Sequence, residues 1–297
     1  MLSILVPIYN FNVKELILEL VSQCDSLQIK YEIICIDDYS ESQFETSNRK
    51  HLTHLKNVYY NALSSNIGRA KIRNTLALKA NYNYLLFLDC DSKIVNKDFI
   101  GNYLQCIKDG LKTVYGGRIY LKEHNTPSNA LHYKFGKERE EISVQKRKQK
   151  SYRFFLSNNF LIQKEIYLSI KSDEKIKGYG YEDAAFAQQL KKRNIPIDHI
   201  NNPIAHVGLE TNEIFIEKTK NAIKNLALLV KTKKVDREEI KVFRYYKKLK
   251  RLRIHRLYYF LFHKWEPFFI QNLTSSKPKL IYFDFFKLYL LCKHLGM

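Results

Sequence analysis

The stretch Tyr84–Ser92 reads YLLFLDCDS, five apolar or aromatic residues followed at once by an Asp-x-Asp and a serine. A continuous apolar run of this length is a strand buried on both faces, as in parallel sheets covered by helices. Upstream the same kind of run recurs at Ser3–Ile8 (SILVPI) and Tyr31–Ile36 (YEIICI), and in weaker form at Asn57–Asn61 (NVYYN). Downstream it returns at Thr113–Leu121 (TVYGGRIYL) and Phe154–Ile162. Between these runs lie Val13–Cys24, Arg69–Ala80 and Asp98–Lys108, whose apolar residues recur at helical spacing. Strands alternating with helices predict an α/β fold, a mostly parallel sheet flanked by helices.

Beyond residue 121 the pattern loosens. Residues 122–152 are polar and basic, with KRKQK at 146–150, and read as a mobile segment or lid. Glu182–Lys192 reads as a helix and Ile195–Val207 as one or two short strands. From about Asn212 the chain is helical to its end, with breaks near Pro267 and at 275–278. Two regions follow: 1–210, the α/β domain, and 211–297, a helical C-terminal appendage.

The composition narrows the class. With 45% hydrophobic residues, 21 Tyr and 18 Phe, a disordered chain is excluded. Ten Gly and six Pro exclude a collagen-like or low-complexity chain. The five cysteines are odd in number and scattered, matching neither a disulfide framework nor a zinc-site spacing, so a reducing cytoplasm is expected. The N-terminal apolar run reaches Pro7 quickly and reads as a strand rather than a signal peptide. Leu280–Cys292 is interrupted by Asp284 and Lys287, too short and too polar to span a bilayer.

In an open α/β sheet, ligands sit at the carboxyl ends of the strands. Here the ends are Pro7-Ile8-Tyr9-Asn10, Asp37-Asp38-Tyr39-Ser40 and Asp89-Cys90-Asp91-Ser92. Tyr9, Asp37 or Asp38, Asp89 and Asp91 are thus expected on one rim. An aspartate after a strand is often only a turn former or helix cap. Several carboxylates on one cleft, however, are costly unless a cation joins them, and hard oxygen ligands select Mg²⁺ or Mn²⁺. Arg69 and Arg73 share a face of the helix opened by residues 66–74, whose N-terminus favours anions. A phosphate-bearing nucleoside ligand fits such a cleft.

These elements, in this order, resemble glycosyltransferase family 2, nucleotide-sugar enzymes of the GT-A (Rossmann-like) fold. The resemblance covers about residues 1–210. Gly178-Tyr179-Gly180-Tyr181-Glu182-Asp183 is similar to the Gly-Trp-Gly-x-Glu-Asp segment of the galactosyltransferase-like branch, with Tyr179 where Trp is usual. His206, in Ala-His-Val-Gly, resembles that branch's late metal-site histidine. The resemblance implies that Pro7, Tyr9 and Asp37 or Asp38 hold the uracil and ribose of a UDP-linked donor, with Arg73 near the base or diphosphate. It implies that Asp89 binds the ribose or, through water, the metal, that Asp91 ligates the metal directly, and that His206 completes the site. Asp183 becomes the catalytic base and Glu182 the holder of the acceptor sugar. One of Asn158 and Asn159, with Asn159 preferred, reaches a sugar. The implied reaction is inverting, metal-dependent transfer to a hydroxyl of a glycan or lipid-linked acceptor in surface polysaccharide synthesis.

The net charge of +20 is unevenly placed. Residues 241–297 hold 13 Lys and Arg against Glu266 and Asp284, together with 15 aromatics. A basic helical stretch followed by aromatic segments suits an anionic membrane surface, here the inner face of the cell membrane. Two other readings stand beside this one, a catalytically inactive family member and a basic nucleic-acid-binding protein. No nucleic-acid-binding motif is present, and no nucleic acid is expected as a partner.

Overall fold

The computed structural model describes residues 1–176 and 180–296. The strands are β1 (Leu2–Ile8), β2 (Tyr31–Asp37), β3 (Val58–Ala62), β4 (Tyr84–Leu88), β5 (Ser92–Ile94), β6 (Thr113–Tyr115), β7 (Arg118–Ile119), β8 (Asn159–Gln163), β9 (Asp198–His199) and β10 (Ile204–His206). The α-helices are α1 (Lys14–Ser26), α2 (Ser42–Leu52), α3 (Arg69–Lys79), α4 (Phe99–Lys108), α5 (Ala130–Phe135), α6 (Val144–Gln149), α7 (Lys164–Ile170), α8 (Glu182–Lys192), α9 (Asn212–Lys231), α10 (Lys241–Arg251), α11 (His255–Leu273) and α12 (Leu280–Leu295).

Seven strands form one sheet in the order β3-β2-β1-β4-β8-β6-β9. Only β8 runs antiparallel to its neighbours; the other pairs are parallel. β1 and β2 are buried almost throughout, and their register sets Ile8 beside Asp37. Apolar side chains on both faces require helices above and below, so the continuous apolar runs became parallel strands. Since β1, β2 and β4 point the same way, the residues after each gather at one edge. A second sheet, in the order β5-β10-β7, is short.

The chain forms two compact units. The first is Met1–Ile119, Glu141–Lys175 and Gln189–Gly208. Its core includes Ile4, Val6, Ile17, Leu20, Ile33, Leu86 and Phe99. The second is Tyr120–Glu140, Ile176–Gln188 and Leu209–Met297, cored by Phe215, Leu226, Phe283, Phe286 and Leu291. The two units interleave along the chain.

Several sequence expectations change. First, Thr113–Leu121 is not one strand. It breaks at Gly116-Gly117 into β6 of the large sheet and β7 of the small one. Gly117 sits at φ 108°, and a Cβ on Gly116 would lie 2.4 Å from the Tyr103 hydroxyl and 2.5 Å from the Asn202 carbonyl. Only glycine suits either position. Second, Phe154–Ile162 becomes strand only from Asn159, and α11 runs through Pro267 without ending there.

Third, the basic run 146–150 is no free lid. Arg147, 3% exposed, donates to the carbonyls of Tyr115, Gly116, Ile142 and Ile200 and stacks on Tyr115. Its guanidinium lies 3.3 Å from His199 Nδ1. Burial, with the nearby Arg147 charge, pushes the His199 pKa down to about 4. The folded state therefore binds fewer protons than the unfolded one between pH 6.5 and 4, and stability falls as pH drops through that window. The expected loss by pH 4.5 is about 2–3 kcal/mol. Urea unfolding at pH 7 and 4.5 checks it, and in His199→Gln this component of the pH dependence should disappear.

Candidate active site

The loops after β1 and β2 are tied together. Asp38 N–H donates to the Ile8 carbonyl, Asn10 N–H to Ser40 Oγ, and Glu41 N–H to Asn10 Oδ1, each at 2.8 Å. Beyond these ties Tyr9 and Tyr39 stand more than half exposed. The two aspartates expected to hold the nucleoside are differently employed. Asp37, fully buried, accepts from Ser40 N–H at 2.8 Å and from the Tyr60 hydroxyl at 2.9 Å. Asp38 accepts from the N–H groups of Ile67 and Gly68 at 2.7 and 2.9 Å. Both carboxylates thus shape the turn after β2 and the loop that opens α3. Gly68, at φ 84°, gives that loop its turn into the helix.

Asp89 is also committed. Arg73, buried in α3, donates to its Oδ1 at 2.5 Å. Arg69 and Arg118 face its Oδ2 at 3.7 and 3.8 Å. Three guanidiniums around one carboxylate leave local positive charge, which suits a diphosphate rather than a bare cation. Carboxylate repulsion, the sequence-based reason for a metal, does not apply to Asp89. Of the expected metal residues, Asp91 and His206 remain. Arg118 and Tyr39 were not anticipated as site residues. Arg118 lies in the run broken by Gly116-Gly117, where no linear motif marks it.

The small sheet builds the pair. Antiparallel pairing sets His206 of β10 opposite Ser92 of β5, one residue past Asp91, and Val207 N–H donates to the Asp91 carbonyl at 2.9 Å. His206 Nδ1 lies 3.2 Å from Asp91 Oδ1. On the other side of β10, Arg118 of β7 pairs with Ile204. Burial alone would raise the Asp91 pKa; His206, then Arg118 and Arg69, more than offset this and hold the carboxyl well below the usual range. A Cβ on Gly208 would come within 2.8 Å of Asp91 Oδ2, so glycine there leaves the carboxylate its room. Adjacent ligands of a cation with 2.1 Å bonds lie about 3 Å apart, so Asp91 and His206 fit two positions of one divalent ion. Among the described residues no cluster of three His, Cys, Asp or Glu side chains is arranged to hold a metal. Further ligands for such an ion would come from substrate phosphate and water.

The asparagine pair resolves against the preferred choice. Asn159, fully buried, accepts from the Tyr103 hydroxyl at 2.6 Å and donates to the carbonyls of Gly117 and Asn202. It is scaffold: both amide hydrogens are spent on backbone carbonyls, and the side chain is fully buried. Asn158, whose carbonyl accepts from Asp89 N–H, is 3% exposed, and neither polar atom of its side chain has a hydrogen-bond partner among the described residues. Leaving a buried amide unpaired costs about 1–3 kcal/mol.

Glu182 and Asp183 form the first turn of α8, in the second unit. They follow Gly180 at φ 101° and Tyr181 at φ 66°. A Cβ on Gly180 would lie 2.4 Å from the Ala222 Cβ, so that position requires glycine for both conformation and space. Gly178 and Tyr179 of the same segment lie outside the described residues.

Several solved structures are similar in fold. A TarS fragment (1-349) of S. aureus superposes with a TM-score of 0.51 at 20% identity, over 75% of this chain and 64% of that one. The same fragment in complex with UDP-GlcNAc gives 0.52 at 20% identity, over 77% and 71%. The mannosyltransferase PcManGT from Pyrobaculum calidifontis, in complex with GDP-Man and Mn²⁺, gives 0.56 at 13% identity, over 77% and 64%. The chain thus spans just under two thirds of the length of the first of these. No curated protein sequence matches. The fold is that of GT-A glycosyltransferases. The glycosyl transferase family 2 model matches residues 3–173, more than half of the chain, and the chain belongs to that family.

Proposed function

We propose that the protein transfers a sugar from a nucleoside diphosphate, with uridine diphosphate as the carrier, to a hydroxyl of a glycan or lipid-linked acceptor, with inversion at the anomeric carbon. The observation that carries this reading is the pairing of Asp91 with His206 beside three arginines that converge on Asp89. A leaving diphosphate needs positive charge around its oxygens; the arginines would supply part of it, and Asp91 with His206 could hold a cation that supplies the rest. The solved relatives named above were found with UDP-GlcNAc, or with GDP-Man and Mn²⁺, which supports a nucleotide sugar and a divalent ion here.

Asp91 and His206 would hold Mn²⁺ or Mg²⁺, which when bound acts as a Lewis acid on the leaving diphosphate. Arg69 and Arg118, held near Asp89 Oδ2, would meet the oxygens of that diphosphate, and Asp89 with Arg73 keeps them in place. Tyr9 and Tyr39 offer exposed rings to the base, and Pro7 stands one residue before the end of β1, which Tyr9 follows. Asn158 offers to the donor sugar an amide that has no partner among the described residues. Asp183, in the Gly-x-Gly-x-Glu-Asp segment, takes the proton of the acceptor hydroxyl as that oxygen bonds to the anomeric carbon and the bond to the diphosphate breaks. Glu182 orients the acceptor. Attack from the face opposite the leaving group gives inversion. The C-terminal region rests on an anionic membrane surface, the inner face of the cell membrane, where lipid-linked acceptors in surface polysaccharide synthesis would be reached.

A nucleotide-release screen over UDP-, GDP- and dTDP-sugars with Mn²⁺ tests the reading. Release is expected from one UDP-sugar at least about tenfold above the GDP- and dTDP-linked donors, a difference of about 1.4 kcal/mol. No release from any donor, with no nucleotide binding, would instead support an inactive family member.

A further inference from the structure

We propose that the outward face of α11 is the surface on which the protein lies against an anionic bilayer, in the plane of its headgroups. This deepens the membrane reading above and rests on it. It also changes which residues make the contact.

Of the apolar segments in the C-terminal region, α12 is core. Phe283, Phe286, Leu290 and Leu291 are buried, and its exposed apolar surface is confined to Ile281 and Phe285 among the described residues, a smaller face than that of α11. α11 is two-sided. Phe262 and Leu273 are buried, and Phe262 stacks on Phe269 and on Tyr289 of α12. On its other side Leu257, Phe260, Leu261, Trp265 and Phe268 are each at least half exposed. Their spacing of three and four residues sets them in one stripe about 16 Å long. Isolated exposed apolar residues are ordinary; five large ones in one stripe mark a docking face.

The occupant follows from charge. Residues 241–265 contain no acid. Lys247, Lys248, Lys250, Arg251, Arg253 and Arg256 are exposed just ahead of or at the start of the stripe, and Lys264 lies within it. The acid of α11, Glu266, accepts from the Tyr289 hydroxyl on the inner side. A second copy of this chain would bring those cations against their own kind. A nucleic acid would meet the cations but has no use for Leu257 and Leu261. An anionic lipid surface satisfies both, with phosphates on the basic residues and the acyl boundary on the stripe. Among the described residues no helix is long and apolar enough to cross a membrane, so α11 lies in the surface.

Trp265 is the chain's single tryptophan and stands in the stripe, so its emission reports the contact directly. The full chain is mixed with phosphatidylglycerol vesicles, with phosphatidylcholine vesicles and with a polyuridylate RNA. Pelleting and a blue shift of emission are expected with the anionic vesicles, with affinity at least about tenfold above that for the neutral ones, and no shift with RNA. The double variant Leu261→Glu, Phe268→Glu, which keeps Trp265, should lose both signals at an unchanged thermal midpoint and unchanged UDP binding. Pelleting without a shift of Trp265 would overturn the α11 face while sparing the membrane reading. Absence of pelleting would overturn both, and an equal shift with RNA, or with protein concentration alone, would overturn the choice of occupant.

Discussion

Asp183→Asn is expected to reduce sugar transfer by at least about a hundredfold while leaving UDP affinity unchanged. The substitution keeps the shape of the side chain and removes its basicity, so the acceptor hydroxyl must lose its proton unaided. A structural explanation for such a loss can be bounded. The same carboxylate also sits favourably at the N-terminus of α8, which is worth about 0.3–1 kcal/mol. Losing that would lower the unfolding midpoint slightly and could not reduce transfer a hundredfold. Glu182→Gln separates the neighbours: a raised acceptor KM with a smaller change in kcat is expected if Glu182 orients the acceptor. Full activity in Asp183→Asn, with loss in Glu182→Gln, would exchange the two roles.

Asp91→Ala and Asp89→Ala should differ in kind. Asp91 faces His206 at the edge of the small sheet and is partly exposed, so its removal should cost less stability than that of Asp89 but abolish the gain in UDP affinity that Mn²⁺ provides. Asp89 holds Arg73, whose side chain is 5% exposed, at 2.5 Å. Removing it leaves a buried guanidinium without that carboxylate, a loss of about 3–5 kcal/mol. Urea unfolding and calorimetric UDP titration of both variants check the contrast. Equal destabilisation, with Mn²⁺ dependence intact in Asp91→Ala, would return the metal role to Asp89.

The large sheet was readable because burial on both faces leaves an unbroken apolar run in sequence, as at Tyr84–Leu88. The rim aspartates were readable as positions but not as roles. Sequence order shows that Asp37, Asp38 and Asp89 end strands; it does not show that turn N–H groups and guanidiniums already occupy them. The missed element is the small sheet. Its strands of two and three residues carry no periodicity, yet it sets Asp91, His206 and Arg118 on adjacent strands or next to them. The break that creates it, Gly116-Gly117, lies inside a run that reads in sequence as one strand; close approach of Tyr103 and Asn202 to Gly116, and the positive φ of Gly117, require the glycines there. Asn158 and Asn159 are indistinguishable in sequence; both are buried, but Asn159 is spent on Tyr103, Gly117 and Asn202, whereas the Asn158 amide has no partner among the described residues.

Calorimetric titration of UDP into the full chain, with Mn²⁺ and then with EDTA, tests the central claim most directly. The account predicts binding at least about tenfold tighter with Mn²⁺, and loss of that difference in Asp91→Ala. Equal affinity with and without the ion, or a Mn²⁺ effect that survives Asp91→Ala, would contradict it.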